Sequence, residues 1–294
     1  MLGVLRWIGH RQWIPYGLRD RFIRFFVDPD REQSFPVTVD FFGHRYGGNL
    51  ASYIDWVVFF FGAYEKEVLD FLADAARCLD CDVFVDVGAN VGQHTLFMSQ
   101  RARKVVAFEP FGTVRREILQ KVQDNALRNI VVHPVGLAER EGEAPFYAPR
   151  SGNAGAGTFH HERGRAVGMP IGKLPTARGD TLLQDAGRID LIKIDVEGCE
   201  PNVIAGLSKT IARHRPVLVI EFSAETRTGF VDRARMIAAV GGGRLLALRP
   251  TRSGYALGSF DFDRFEGYVV AIPNEKAAML GLAGPRRERP AVPA

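Results

Sequence analysis

The stretch "FVDVGANVGQHTLF", residues 84 to 97, does most to restrict what this chain can fold into. It opens as an apolar run, breaks at Gly88 and Gly92, and resumes with helical spacing. A strand that turns into a helix on bare glycine backbone is the repeating unit of a wound parallel sheet. Further apolar runs follow: "KVVAFEP", "IVVHPVGL", "IDLIKIDV" and "PVLVIEF". Helical stretches at about 91–100, 113–127 and 200–213 separate these runs, and Val68, Leu69, Leu72, Ala75, Ala76 and Leu79 give 64–79 a helical face upstream. Strands apolar at nearly every position are expected where helices cover both faces of a sheet.

The alternation predicts an α/β fold, a doubly wound and mostly parallel seven-stranded sheet with helices on both faces. A helix near 228–240, a strand "RLLALRP" and a final "GYVVAIP" add a closing antiparallel hairpin. Three regions are expected: an N-terminal basic, amphipathic helical extension over 1–50, the α/β domain over 51–275, and a Pro- and Arg-rich disordered tail over 276–294. Inside the extension, "FPVTVDFFG" reads as a strand and Gly47–Gly48 as a turn. The connection from Tyr147 to Pro175 is long, glycine-rich and aperiodic, as functional or disordered loops are.

A chain of 294 residues, 46% hydrophobic and 24% charged, can bury one large core. Its formal charge of +4 is too small to indicate a nucleic-acid partner. The surplus sits at one end. Arg6, Arg11, Arg19, Arg21, Arg24 and Arg31 outnumber Asp20, Asp28 and Asp30 in residues 1–31, and they interleave with Trp7, Trp13, Phe22, Phe25 and Phe26. Two readings fit: a helix packed on its own domain, which is favoured, or peripheral contact with a membrane surface. Arginines interrupt any signal-peptide core, and the apolar run "YIDWVVFFFGAY" is too short to span a bilayer. A cytoplasmic protein is expected, with any membrane contact at the inner face. Cys78, Cys81 and Cys199 cannot form a disulfide framework, and the lone CxxC reads as two ordinary thiols.

In an open parallel sheet, ligands gather at the carboxyl ends of the strands beside the switch point. Gly88 and Gly92 remove side chains there, and Asp86 ends the strand. The spacing is G-x-x-x-G, without the third glycine that a diphosphate requires. Glu109 ends the next strand, where a carboxylate can accept both hydroxyls of a ribose. Each feature alone also reads as ordinary structure, the glycines as turn residues, Asp86 as a helix cap and Glu109 as a solvated strand end. Their joint order favours a nucleoside site.

With "VVAFEP", "LIKIDVEGCEPNVIAGL" and "RPVLVIEFS", the opening stretch resembles the FkbM family of S-adenosylmethionine-dependent methyltransferases, Rossmann-like and class I in fold. The resemblance runs over roughly residues 50–225, and "YIDWVVFFFGAYEKEVLDFL" is similar to the family's segment before the first strand. It implies S-adenosylmethionine as cofactor. The methionine portion would lie on the turn of Asp86, Gly88, Ala89, Asn90 and Gly92, with Glu109 and Pro110 at the ribose and Asp195 nearby. Tyr64 and Glu65 would border the same cavity. The implied reaction is methylation of a hydroxyl on a sugar, glycolipid or secondary metabolite.

Lys193, Asp195 and Glu197 alternate along one strand and so share a face. They form either an internal salt bridge from Lys193 to Asp195 with Glu197 capping the next helix, or a cleft in which Asp195 or Glu197 orients or deprotonates the acceptor. His94 in the first helical turn, and His160 and His161 in the long loop, are rival bases, each also readable as a surface or capping residue. Asn153, Gly155 and Gly157 resemble a pattern in the family's corresponding loop, which implies a lid; a plain tether is the alternative. No ligand cluster points to a metal. Two other classes remain: an NAD-dependent oxidoreductase, which the missing third glycine argues against, and a non-catalytic nucleoside-binding module, which would have no need to keep the glycine turn and ribose acid.

Overall fold

The computed structural model describes residues 1–31, 33–149 and 157–281. The chain opens with α1 (Leu2–Gly9) and α2 (Tyr16–Phe26), a hairpin of β1 (Pro36–Phe41) and β2 (His44–Asn49), and α3 (Tyr53–Phe61). The hairpin turns at Phe42 and Gly43, both at positive φ, and not at Gly47–Gly48 as the sequence suggested. Gly48 lies inside β2, paired with Val37, and is bare because a Cβ there would sit 2.8 Å from Asp55 Cγ. Asp55 is buried and accepts from Tyr46 Oη at 2.6 Å and from the Asn49 amide at 2.9 Å, which ties α3 to the hairpin. Its charge inside the apolar run is thus a structural anchor.

Next come α4 (Lys66–Leu79), β3 (Val83–Val87), α5 (Gln93–Met98), β4 (Lys104–Phe108), α6 (Gly112–Asp124) and β5 (Ile130–His133). The run read as one strand, "IVVHPVGL", is two: after β5 the chain leaves the main sheet and forms β6 (Gly136–Leu137). The long connection is largely ordered where described. β7 (Gly142–Pro149), α7 (His161–Val167) and β8 (Gly168–Ala177) follow, and β6, β8 and β7 make a small three-stranded sheet in that order. Most of β8 is exposed, so its sequence carries no apolar alternation from which a strand could be read. Asn153 and Gly155 lie outside the described residues.

The remaining elements are α8 (Gly179–Leu182), β9 (Ile189–Ile194), α9 (Glu200–Gly206), α10 (Ser208–His214), β10 (Val217–Phe222), α11 (Ala224–Phe230), α12 (Arg233–Ala239), β11 (Arg244–Thr251), β12 (Gly254–Ser259), β13 (Gly267–Ile272) and α13 (Asn274–Ala277). The main sheet has eight strands, not seven, in the order β12-β11-β13-β10-β9-β3-β4-β5. β10, β9, β3, β4 and β5 are parallel; β13, β11 and β12 run antiparallel to their neighbours. The extra strand, "GYALGS", is an edge strand with two glycines and little burial, a composition that weakens any strand signal. The tail expected from residue 276 begins within α13, and its residues 282–294 lie outside the described part.

Every residue of β3 and β9 is buried, so side chains on both sheet faces enter cores. Phe84, Val105, Leu191 and Val219 pack with α4 and α5 on one face; Val85, Ile192, Ile220 and Val269 pack with α9 to α12 on the other. Each large side chain so buried contributes on the order of 1.5–3 kcal/mol. β3 is flanked by β4 on one side and β9 on the other, so successive crossovers part here and leave a crevice at the strand ends.

Candidate active site

The turn after β3 is held from three sides. The Gly88 and Ala89 amides both donate to Phe108 O at 3.1 Å, tying it to the end of β4. Gly88, Asn90 and Gly92 all have positive φ. A Cβ on Gly88 would lie 1.9 Å from Asp195 O, and one on Gly92 would lie 3.0 Å from the Ile118 side chain. The two glycines are therefore bare for the sake of close chain packing as well as turn geometry. Glu109 is not a solvated strand end. It is 6% exposed and accepts from the Asn90 amide at 2.9 Å and the Phe111 amide at 2.8 Å. Burial raises its carboxyl to about 7 against the pull of those two amides.

Beyond Gly88, the end of β9 carries a second constellation. Lys193 Nζ donates to Asp195 Oδ2 at 2.8 Å, the internal salt bridge that the alternating charges suggested. Tyr268 of β13 places its hydroxyl 2.6 Å from Asp195 Oδ2 and 2.8 Å from Glu65 Oε2. One phenolic proton cannot serve both acids. Protonated Glu65 donating to Tyr268 Oη, which donates in turn to ionised Asp195, satisfies all three. The charges agree with that arrangement. Burial and the Asp195 charge raise Glu65 to about 8. Burial would raise Asp195 too, but Lys193 and the Tyr268 hydroxyl hold it below the usual carboxylate range. Lys193 keeps its proton despite burial chiefly because the Asp195 carboxylate, and then Asp86, lie beside it.

His94 stands beside this network, with Nε2 3.8 Å from Glu65 Oε2. That nitrogen is buried and has no hydrogen-bond partner. Burial first, and Lys193 second, push the imidazole well below its ordinary value, so it is neutral near pH 7. Glu221, at the end of β10, likewise has a buried Oε2 without a partner. Burial and the charges of Asp195, Glu197 and Glu200 raise it well above the usual carboxylate range.

The small sheet roofs the crevice. Phe146 of β7 packs on Phe159 at 5.0 Å and on Phe111 at 5.6 Å between ring centroids. Thr158, 1% exposed, donates through Oγ1 to Glu197 O at 2.8 Å. Arg163 of α7 pairs with the Glu197 carboxylate and lies 3.7 Å from Glu225. Glu197, raised to about 7 by burial and the Asp195 charge, is thus tied to the roof and does not cap the next helix. Glu200 serves that turn, accepting from the Val196 and Gly198 amides at 3.0 and 3.2 Å.

These parts enclose one cavity of about 1090 Å³, counting its open mouth. Tyr64, Glu65, Gly88, Ala89, Asn90, His94, Glu109, Pro110, Asp195 and Glu197 all line it. Asp86 and Gly92 do not. Asp86 is fully buried beneath the turn, accepting from Thr95 Oγ1 at 2.6 Å, and Gly92 lies against Ile118. His160 caps α7, accepting from the Arg163 amide at 3.3 Å, and exposed His161 meets the Tyr147 hydroxyl at 2.6 Å. Neither histidine lines the cavity. Sequence reasoning missed Tyr268, Glu221, Gln93 and the Phe146–Phe159 roof. Gln93 bonds both ways with the Tyr64 backbone, at 2.7 and 2.9 Å, and so anchors the start of α4 to the glycine turn. A signal for Glu221 was present, since it is a lone acid ending an apolar strand, as Glu109 is.

Comparison with known proteins gives a family match and several distant relatives. The family model described as "Methyltransferase FkbM domain" matches residues 86–250. The AMB antimetabolite synthetase AmbE of Pseudomonas aeruginosa is 28% identical over 217 residues, 60% of this chain and 10% of that protein. The hexuronic acid methyltransferase AglP of Haloferax volcanii is 29% identical over 158 residues, 53% of this chain and 61% of the relative. The solved structure of methyltransferase FkbM from Methylobacillus flagellatus KT aligns with a TM-score of 0.44 at 19% identity, over 65% of this chain and 44% of that one. The chain thus spans about a tenth of the first relative and about three fifths of the second.

Proposed function

The chain belongs to the methyltransferase FkbM family, and from that premise we propose that it is an S-adenosylmethionine-dependent O-methyltransferase acting on a hydroxyl of a sugar, glycolipid or secondary metabolite. The observation that carries the reading is a pairing in one cavity: its lining includes both the amide-held Glu109 carboxylate and His94, whose buried Nε2 has no hydrogen-bond partner. A relative whose name gives a hexuronic acid as acceptor supports a sugar-like substrate.

The residues fit the cofactor. Glu109 spends one lone pair of each oxygen on backbone amides and keeps others for vicinal hydroxyls. Phe108, Pro110 and Phe111 offer apolar surface beside it for a base, and the acidic end of β9 suits a cation. When bound, S-adenosylmethionine supplies a methyl group on positively charged sulfur, so most of the acceleration lies in aligning the acceptor oxygen. Asp195, fixed by Lys193 and Tyr268, orients the acceptor hydroxyl. In the tautomer with its proton on Nδ1, His94 would present Nε2 as the acceptor for the hydroxyl proton, released as the methyl group passes from sulfur to oxygen. The Phe146–Phe159 roof excludes water from the reacting atoms. Free Cys78, Cys81 and Cys199 accord with a cytoplasmic site of action.

The test is methyl transfer from labelled S-adenosylmethionine to a panel of sugars and sugar acids. His94→Gln is expected to lower turnover by about 10²–10⁴-fold with the affinity for S-adenosylhomocysteine kept. Unchanged turnover removes His94 from the mechanism. Transfer to nitrogen or carbon acceptors alone removes O-methylation.

A further inference from the structure

The N-terminal helices have an apolar face on each side. Their inner face is ordinary core: Leu5 and Ile23, 4% and 0% exposed, pack on Trp56, Val57 and Phe60. The Trp56 indole donates to Val27 O at 2.9 Å and fixes the end of α2 against α3. The outer face should be polar in a helix that merely packs on its own domain. It is not. Leu18, Phe22 and Phe25 follow one another at i, i+4 and i+7 on α2, with exposures of 62%, 46% and 83%, and Trp13 before them is 80% exposed. No described helix is long and apolar enough to cross a membrane.

The charges on these helices are segregated. Asp20, Asp28 and Asp30 all gather on Arg24, at 3.2, 3.5 and 3.5 Å, with Arg31 3.4 Å from Asp28, and the arginines beside the aromatic stripe lie outside that cluster. Arg21 is exposed among the aromatics, and Arg11 lies over the Trp7 ring at 4.0 Å. An apolar stripe of Trp, Phe and Leu bordered by arginines matches the boundary of an anionic bilayer, where rings enter the acyl region and guanidinium groups meet phosphate. Subunit interfaces are also enriched in aromatic residues and arginine, so a second copy of the chain is the rival occupant that the experiment below separates.

We propose that the outer face of α1 and α2, with Trp13 between them, docks on an anionic lipid surface. The docking does not depend on methyl transfer, but it gives that reaction a setting. Beneath the docked helices, Tyr53 of α3 packs on Tyr64 at 5.9 Å, and Ile54 and Tyr64 line the cavity.

Flotation of the full chain with vesicles tests this. Partition onto mixed phosphatidylglycerol–phosphatidylcholine vesicles is expected to exceed that onto pure phosphatidylcholine and to weaken as salt rises from about 0.1 to 0.5 M. Trp13→Ser with Phe25→Ser should lower it at least about tenfold, since two rings leave the bilayer. Arg21→Glu should lower it severalfold on the anionic vesicles alone. Unchanged melting of the variants shows that the fold stands, and unchanged S-adenosylhomocysteine binding separates this face from the cavity. Absence of flotation, or flotation indifferent to Trp13 and Phe25, overturns the proposal. So does a concentration-dependent dimer lost in the same variant without lipid binding, which gives the face to a second copy.

Discussion

The two walls of the cavity are built by different means. On the Glu109 side, everything that positions the carboxylate lies within about twenty residues of it: the Asn90 and Phe111 amides and the glycine turn tied to Phe108 O. On the Asp195 side, the partners are side chains from Glu65, Lys193 and Tyr268, which the chain brings together across 203 residues. The first wall is rigid because backbone holds it. The second is a proton-sharing network whose members depend on one another's charge. A fixed wall suits holding a cofactor; a titratable wall suits handling an acceptor's proton.

Substitutions should separate the walls, and the largest effect is expected at Lys193. Lys193→Met strips Asp195 of its counter-charge, and the chain should lose about 3 kcal/mol in denaturant unfolding, the low end for a broken buried pair. The low end applies because the Asp195 side chain keeps 20% of its surface open. Adding Asp195→Asn should restore much of the loss. If the double variant is no better, the two residues are not coupled as described.

Glu109→Gln comes next. It keeps the shape but weakens one amide bond and the hydroxyl contacts, so affinity for S-adenosylhomocysteine should fall about thirtyfold or more by calorimetry. Glu109→Ala would also leave the half-buried Asn90 and Phe111 amides without their acceptor and cost stability, so it cannot isolate binding. Tyr268→Phe removes the hydroxyl between the two acids and should cost about 1–2 kcal/mol while leaving that affinity near wild type. A large loss of binding there would merge the two walls into one.

A further test uses pH. Glu65 is held at about 8 in the fold against an ordinary 4.5, chiefly by burial and then by the Asp195 charge. Its neutral form therefore stabilises the fold below the ordinary value, and this contribution is lost as pH rises from about 4.5 through 8. Glu65→Gln, always neutral, should fall less steeply in melting temperature between pH 5 and 8. A slope equal to wild type would place the shared proton elsewhere.

The same contrast decides what could be read from the residues. Gly88, Gly92 and Glu109 were legible because their meaning is local: a strand, a turn and a helix in unbroken order. Lys193 and Asp195 were legible as a pair because residues two apart at the end of an extended run share a face. Tyr268 was not, since nothing in "GYVVAI" tells which strand ends it will meet after an antiparallel return. The edge strand at "GYALGS" and the roof over the cavity were hidden for a related reason. Exposed strands rich in Gly and Pro bury too little to leave a pattern, and only tertiary pairing orders them.

Calorimetric titration of the purified chain with S-adenosylhomocysteine, with NAD as the rival ligand, tests the central assignment most directly. A saturable one-to-one isotherm that Glu109→Gln weakens about thirtyfold, with no heat from NAD, is the predicted result. No saturable heat from the nucleoside, or binding equally strong in the variant, would contradict the assignment of the strand-end cavity to that cofactor.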